Sequence, residues 1–219
     1  MAAFAGTRKA RKLPDDGVRN GWYEILPPPP EALRIRGTVR CDWAVIGAGA
    51  CGLAVARRLA ELRPDESVTV IEAMRVGYGT SGRNAGFMLS HHSHGGIKHL
   101  EVGRRNDRLF SVGYVYLREI VEQHQIRCDW SDWGQIYVSA ADEGAVHLDA
   151  VAKGFEALDV PISRVDRDGL EAITGTRFYS RGVRLRGAAL VQPAAMMRGL
   201  GATLPANVAL YEESPVAEL

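Results

Sequence analysis

The chain has 219 residues, 46% hydrophobic and 24% charged, with a formal net charge of +1. That length and balance suit one full globular domain, or parts of two, with a real buried core. The near-neutral charge makes no case for nucleic acid or an anionic membrane as partner, and three cysteines without paired spacing (Cys41, Cys51, Cys128) argue against a disulfide framework and for a reducing, cytoplasmic setting. The opening stretch MAAFAGTRKARKL is basic but has no apolar h-region, so it is not a secretory signal; it reads as a disordered start, with an organelle transit peptide as the alternative. Residues 1–40 together read as an arm. Pro27 to Pro30 are consecutive prolines that favour an extended path and exclude helix. Trp22, Tyr23, Ile25 and Leu26, just before them, can anchor the arm to a body.

Residues 43–56 carry no charge, yet fourteen residues with three glycines are too few to span a bilayer. Trp43 to Ile46 predict a short buried strand. A helix follows over about 50–62, with Arg57, Arg58 and Glu61 as its wet side and Pro64 as its stop. SVTVIE, 67–72, predicts a second strand, and strand, glycine turn, helix and strand together make a βαβ unit. Residues 77–96 hold six glycines and read as a long functional loop with room for one helical turn. A helix over about 104–125 places Leu109, Val112, Tyr116 and Ile120 on one stripe. GQIYVSA, 134–140, is a strand. Asp142 is read as the cap of a helix to about Leu158, and Asp168 as the cap of a short helix to Ile173. RGVRLRG, 181–187, is a half-exposed strand, Pro193 starts a helix to about Leu204, and NVALYE is a strand. No internal repeat is read.

Gly47, Gly49 and Gly52 match the spacing G-x-G-x-x-G. The first allows a sharp turn out of the strand, the second lets a pyrophosphate approach the backbone, and the third lets the helix pack close. The helix N-terminus then offers N–H groups and partial positive charge to phosphates. Glu72 lies twenty residues past Gly52, at the end of the second strand, where a carboxylate accepts hydrogen bonds from ribose hydroxyls and repels a 2′-phosphate. A tight βα turn without a ligand is the plainer alternative. These features alone leave NAD and FAD both open.

The next stretch, EAMRVGYGTSGRNAGF at 72–87, resembles the segment after the second strand in D-amino-acid-oxidase-like flavoenzymes, the glycine and sarcosine oxidases, and is most similar to the gamma-glutamylputrescine oxidase group. Thr80 stands where that family commonly has Ala. CDWAVIGAGACGLAVARRLAE, QIRCDWSDWGQIYVSAADE and ALVQPAAMMRGLGATLPANVALYEESPV extend the resemblance over roughly residues 22–219. It implies a Rossmann-like α/β domain binding FAD, with part of an α+β substrate domain. It also implies an arm at 1–40, a first part of the FAD-binding domain at 41–105, a first part of the substrate domain at 106–189 and a return to the FAD-binding domain at 190–219. Carried over residue by residue, Gly47, Gly49 and Gly52 hold the pyrophosphate and Glu72 the ribose. Thr80, Ser81, Gly82, Arg83 and Asn84 line the path toward the flavin, and the backbone of Val216 meets adenine. The implied reaction oxidises the C–N bond of an amine or amino acid to an imine, with the flavin reoxidised by oxygen or another acceptor. No catalytic acid or base is identified.

Other candidates are weaker. His91, His92, His94 and His99 lack the closed ligand set of a zinc site, so no metal is expected; in the resembled family this segment follows the flavin loop, which allows a histidine near the ring. No histidine stands within 77–87, so covalent flavin attachment there has no support. Cys51 is read as a small buried residue of the turn. Trp130, Trp133 and Tyr137 are read either as an aromatic wall or as ordinary strand and core residues.

Members of the resembled family run to roughly twice this length, so the chain is expected to be an N-terminal half, unable alone to form a stable holo-flavoprotein because its first βαβ unit lacks the later strands of its sheet and strands 134–140 and 181–187 lack partners from the second half. The readings kept open are a truncated flavin-dependent amine oxidase, one subunit of a split enzyme completed by a second chain, a non-catalytic binding module and a shortened NAD-dependent dehydrogenase.

Overall fold

The computed structural model describes residues 9–10, 12–13, 19–91 and 99–218. In chain order the elements are α1 (Gly21–Glu24), β1 (Trp43–Ile46), α2 (Ala50–Leu62), β2 (Val68–Ile71), a 3-10 turn (Thr80–Gly82), β3 (Phe87–Leu89), α3 (Leu100–Gln123), β4 (Gln135–Ser139), α4 (Asp142–Glu156), β5 (Ile162–Asp166), α5 (Arg167–Thr174), β6 (Arg181–Leu185), β7 (Ala188–Leu190), α6 (Pro193–Ala202) and β8 (Val208–Tyr211). They form two compact units, one of residues 1–85, 121–128 and 192–219, the other of residues 86–120 and 129–191. No helix among the described residues is long and apolar enough to cross a membrane.

The first unit is built on a parallel sheet of order β1-β2-β8, with Val45 opposite Val70 and Val70 opposite Leu210. The β-branched run of β2 is buried, as a central parallel strand must be. On α2, Leu53, Ala56 and Ala60 recur at helical spacing and bury against β1 and β2. Two expectations are corrected here. β1 is not uniformly buried: it alternates, leaving Ile46 50% exposed, because among the described residues it pairs only with β2. Arg57 is not on the wet side but 5% exposed. Its Nη2 donates to Thr203 O (2.6 Å), Thr203 Oγ1 (2.9 Å) and Leu200 O (3.4 Å), so a cation caps the C-terminus of α6, where helix carbonyls lack partners.

The N-terminal arm is stitched along this unit. Gln192 Nε2 donates to Trp22 O at 2.6 Å while its Oε1 caps α6 through Ala195 N–H at 2.7 Å. Arg198 donates to Pro27 O at 2.8 Å and lies over the Tyr23 ring. Arg75 reaches Pro30 O and pairs with Glu212 at 3.2 Å. Further on, Glu212 N–H bonds Leu33 O and Ile35 N–H bonds Ser214 Oγ.

The second unit holds an antiparallel pair, β3 with β7, and an antiparallel sheet of order β4-β6-β5. Thus the strands expected at 134–140 and 181–187 pair with each other, Tyr137 opposite Val183, and β6 is flanked on both sides, while β4 and β5 each have β6 as their one neighbour in this sheet among the described residues. Helix α4 packs Leu148, Val151, Ala152 and Phe155 against Val183 and Leu185, with the Tyr137 and Phe155 rings 6.0 Å apart. Asp142 is the first residue of α4, and Ala141 stands at the cap position. For α5 the cap is Asp166, whose carboxylate accepts from Gly169 N–H at 2.9 Å, while Asp168 lies in the first turn and pairs with Arg177.

Helix α3 keeps only the later part of the expected stripe. Leu109 and Val112 are 61% and 63% exposed, whereas Ile120 is buried, Tyr116 is partly buried, and Tyr114, off the stripe, is buried. Polar anchors accompany this face: Asp107 meets His91, Ser111 donates to Ser90 O at 3.1 Å, and Tyr114 donates to Asp132 at 2.8 Å. Burial, then the bond to Asp132, pushes the Tyr114 phenol up to about 12. Burial opposes the charge on Asp132, but hydrogen bonds from Trp130 and Tyr114 and the charge of Arg118 hold its carboxyl below the usual range. The three aromatic residues do not make one wall: Trp130 packs on Tyr114, Tyr137 on Phe155, and Trp133 is 78% exposed.

Candidate functional site

The C-terminal ends of parallel strands are where open α/β sheets bind ligands. Here β1 ends in Gly47, whose N–H continues the ladder to Ile71 O at 2.8 Å. Gly47 then takes φ +92°, a left-handed conformation that disfavours any side chain. Gly49 is the cap residue of α2. A Cβ on Gly52 would fall 1.8 Å from Gly47 O, so only glycine closes this turn. A Cβ on Gly49 would fall 3.1 Å from Ser81 Oγ, crowding the approach to the backbone. The first turn of α2 leaves N–H groups without intrahelical acceptors, and the helix dipole adds partial positive charge there.

Glu72 follows β2 and turns back to this loop. Its Oε2 accepts from Ala48 N–H at 2.7 Å and its Oε1 from Met74 N–H at 2.9 Å. One bond to each oxygen fixes the rotamer, and a carboxylate has about four acceptor sites, so two remain for hydroxyl groups. The acid expected at the strand end therefore stands at the glycine turn itself.

Ser81 joins the second glycine loop to the same place, accepting from Ala50 N–H at 3.0 Å. That hydroxyl sits on the first N–H of α2. Asn84 Nδ2 donates to Ser81 O at 2.7 Å, and Thr80 is exposed. The Arg83 guanidinium is engaged within its own loop: Nε donates to Tyr78 O at 2.7 Å, and the group lies 4.8 Å from the Tyr78 ring centroid. Val216 lies in the extended segment after β8, partly buried.

The loop repeats the spacing of the cradle, as Gly77, Gly79 and Gly82, a pattern present in the sequence but passed over there as loop glycine. Gly77 has φ +78°, and a Cβ on Gly82 would fall 1.8 Å from Gly77 O. The loop packs against α6, where Gly77 approaches Met197 and Ala194.

Cys51 is exposed rather than buried, because it lies on the outer side of the first turn of α2. His91 Nδ1 lies 2.7 Å from Asp107 Oδ1, and His99 is exposed; His92 and His94 lie outside the described residues. Among the described residues, no group of three or more His, Cys, Asp or Glu side chains is placed to hold a metal ion.

Comparison with known proteins matches residues 42–219 to the family described as FAD dependent oxidoreductase. The chain is 31% identical to gamma-glutamylputrescine oxidoreductase of Escherichia coli over 124 residues, covering 54% of this chain and 28% of that protein. It is 30% identical to the probable oxidoreductase OrdL of Rhizobium meliloti over 204 residues, covering 87% of this chain and 46% of that one. Among solved structures, glycine oxidase from Bacillus cereus shares the fold with a TM-score of 0.64 at 14% identity, over 80% of this chain and 46% of that one. The chain thus spans less than half the length of these relatives.

Proposed function

The chain belongs to the FAD-dependent oxidoreductase family, and from that premise we propose that its first unit binds FAD in an enzyme oxidising the C–N bond of an amine or amino acid. The observation that carries the reading is the meeting of the Glu72 carboxylate with Ala48 N–H at the glycine turn. It brings a donor-rich helix N-terminus and a partly satisfied carboxylate together, as a pyrophosphate flanked by ribose requires.

In this reading the Gly47–Gly52 turn and the first N–H groups of α2 hold the pyrophosphate. Glu72 accepts from the adenosine ribose through its two remaining acceptor sites. Ser81 yields Ala50 N–H to a phosphate oxygen and turns its hydroxyl to the cofactor, beside Thr80, Gly82 and Asn84. Arg83 holds the shape of that loop. The backbone near Val216 faces adenine. The first unit is then the dinucleotide-binding part, and the second unit begins the substrate part. FAD, when bound, supplies the two-electron acceptance that the reaction needs. The names of the relatives support an amine or amino-acid substrate: one carries gamma-glutamylputrescine in its name, another glycine.

Titration of the full-length apo-protein with FAD tests the reading. Glu72→Ala is expected to weaken binding by about 1.5–3 kcal/mol, the range for a hydrogen bond to a charged group. An unchanged dissociation constant removes Glu72 as the ribose ligand, and wild-type protein that takes up NAD but not FAD overturns the cofactor.

A further inference from the structure

Asn20 lies in the arm, outside the glycine turns, yet it is only 2% exposed. Its Nδ2 faces three carbonyl oxygens of the second glycine loop: Gly77 O at 3.2 Å, Gly82 O at 3.2 Å and Tyr78 O at 3.4 Å. Two N–H bonds are thus shared among three acceptors. The glycines make this convergence possible, since positive φ at Gly77 and the missing Cβ at Gly82 bring the two ends of the loop together. Its Oδ1 caps α1, accepting from Tyr23 N–H at 3.4 Å. The preceding residue adds a strut, with Arg19 O accepting from Arg83 at 3.4 Å.

Asn20 is itself held in place. Gln192 bonds Trp22 O, Arg198 lies over the Tyr23 ring, and the Tyr23 ring meets Tyr78 edge-on with centroids 5.3 Å apart. A fixed amide therefore grips both ends of a loop whose middle presents Ser81 to the N-terminus of α2. Without it, three carbonyls in a largely buried setting lose a donor, and the loop can relax away from the cradle.

We propose that Asn20 is a positioning residue that clamps the 77–82 loop and thereby sets cofactor affinity without touching the cofactor. The link to affinity rests on the FAD reading above; the clamp rests on the geometry alone.

Asn20→Asp and Asn20→Ser separate clamp from cap. Both keep a side-chain oxygen that can cap α1. Neither supplies the amide donors, and Asn20→Asp sets a carboxylate against three carbonyl oxygens. In the full-length protein both variants are expected to weaken FAD binding about tenfold. The visible circular dichroism of any flavin still bound should change. Without flavin, trypsin cleavage after Arg83 is expected to quicken about tenfold relative to cleavage after Arg58, on exposed α2 surface. Wild-type affinity in both variants overturns the link to the cofactor. Unchanged relative cleavage at Arg83 overturns the clamp, including when both variants merely lose global stability. If the wild-type protein binds no FAD, the functional reading falls and the cleavage ratio still decides the clamp.

Discussion

The turns at 47–52 and 77–82 share a glycine spacing, a first glycine at φ +92° and +78° respectively, and a third glycine whose Cβ would fall 1.8 Å from the first glycine's carbonyl oxygen. They differ in what stands on either side. The first leaves a strand of the parallel sheet and opens a helix of 13 residues. The second leaves an irregular segment and opens a 3-10 turn of three residues. The first therefore offers donors, and acceptors answer it: the Glu72 carboxylate at Ala48 N–H and the Ser81 hydroxyl at Ala50 N–H. The second turns carbonyls inward, and donors answer it: the amide of Asn20 and the guanidinium of Arg83. A glycine pattern fixes the shape of a backbone; the strand before it and the helix after it decide which pole of the peptide group is left for a ligand.

Four substitutions test the comparison. Gly52→Ala and Gly82→Ala are expected to be the most damaging, each lowering stability by about 3 kcal/mol or more, because the new methyl group meets backbone that cannot move aside. Denaturant unfolding of both variants measures this, and a well-tolerated Gly82→Ala would show that the second turn is compliant and the likeness superficial. Arg57→Ala acts on α6, which packs against both α2 and the second turn. It should cost about 2 kcal/mol by stripping the cap from α6. If stability holds within about 0.5 kcal/mol, water replaces the guanidinium and α6 does not depend on it. Ser81→Ala removes the side-chain bond from the second turn to the first, Ser81 Oγ to Ala50 N–H. Its effect should be the smallest, about 0.5–1.5 kcal/mol in stability, read by thermal unfolding. A larger loss would mean that the two turns fold as one piece.

What was legible in the sequence was whatever local chemistry specifies. The strand, turn, helix and strand at 43–72 stand where apolar runs, glycines and Pro64 put them. Glu72 was found by spacing, and its carboxylate stands at Ala48 N–H. The misreadings have distant causes. Arg57 looked like a solvated charge because its partners, Leu200 and Thr203, lie more than 140 positions away. The stripe on α3 was misplaced because Asp107, Ser111 and Tyr114 are anchored by His91, Ser90 and Asp132, which no helical period records. β3 and β7 are three residues each, too short for alternation to show, and are defined by pairing with distant chain: with each other, and Leu190 of β7 also with Ser131. Asp168 was read as the cap of α5, but the cap is Asp166, two residues earlier, its oxygen reaching the N–H three residues on. Asn20 carried a visible signal, an Asn ahead of a short helix, but nothing local tells that its amide is used 57 to 62 residues later.

The stitching of the arm also sets an order of assembly. The amide of Asn20 can close on its loop as soon as residue 82 has been synthesised. The bond from Ile35 to Ser214 spans 179 residues, and at ribosomal rates of about 5–20 residues per second that is roughly 10–40 s of waiting. Throughout that interval the length of arm between Pro27 and Ile35 has no anchor in β8 or the turn after it. The stretch between Pro30 and Ile35 is then among the last to be fixed, and a ribosome pause before residue 214 would hold the nascent chain with its glycine turns formed and that stretch still loose.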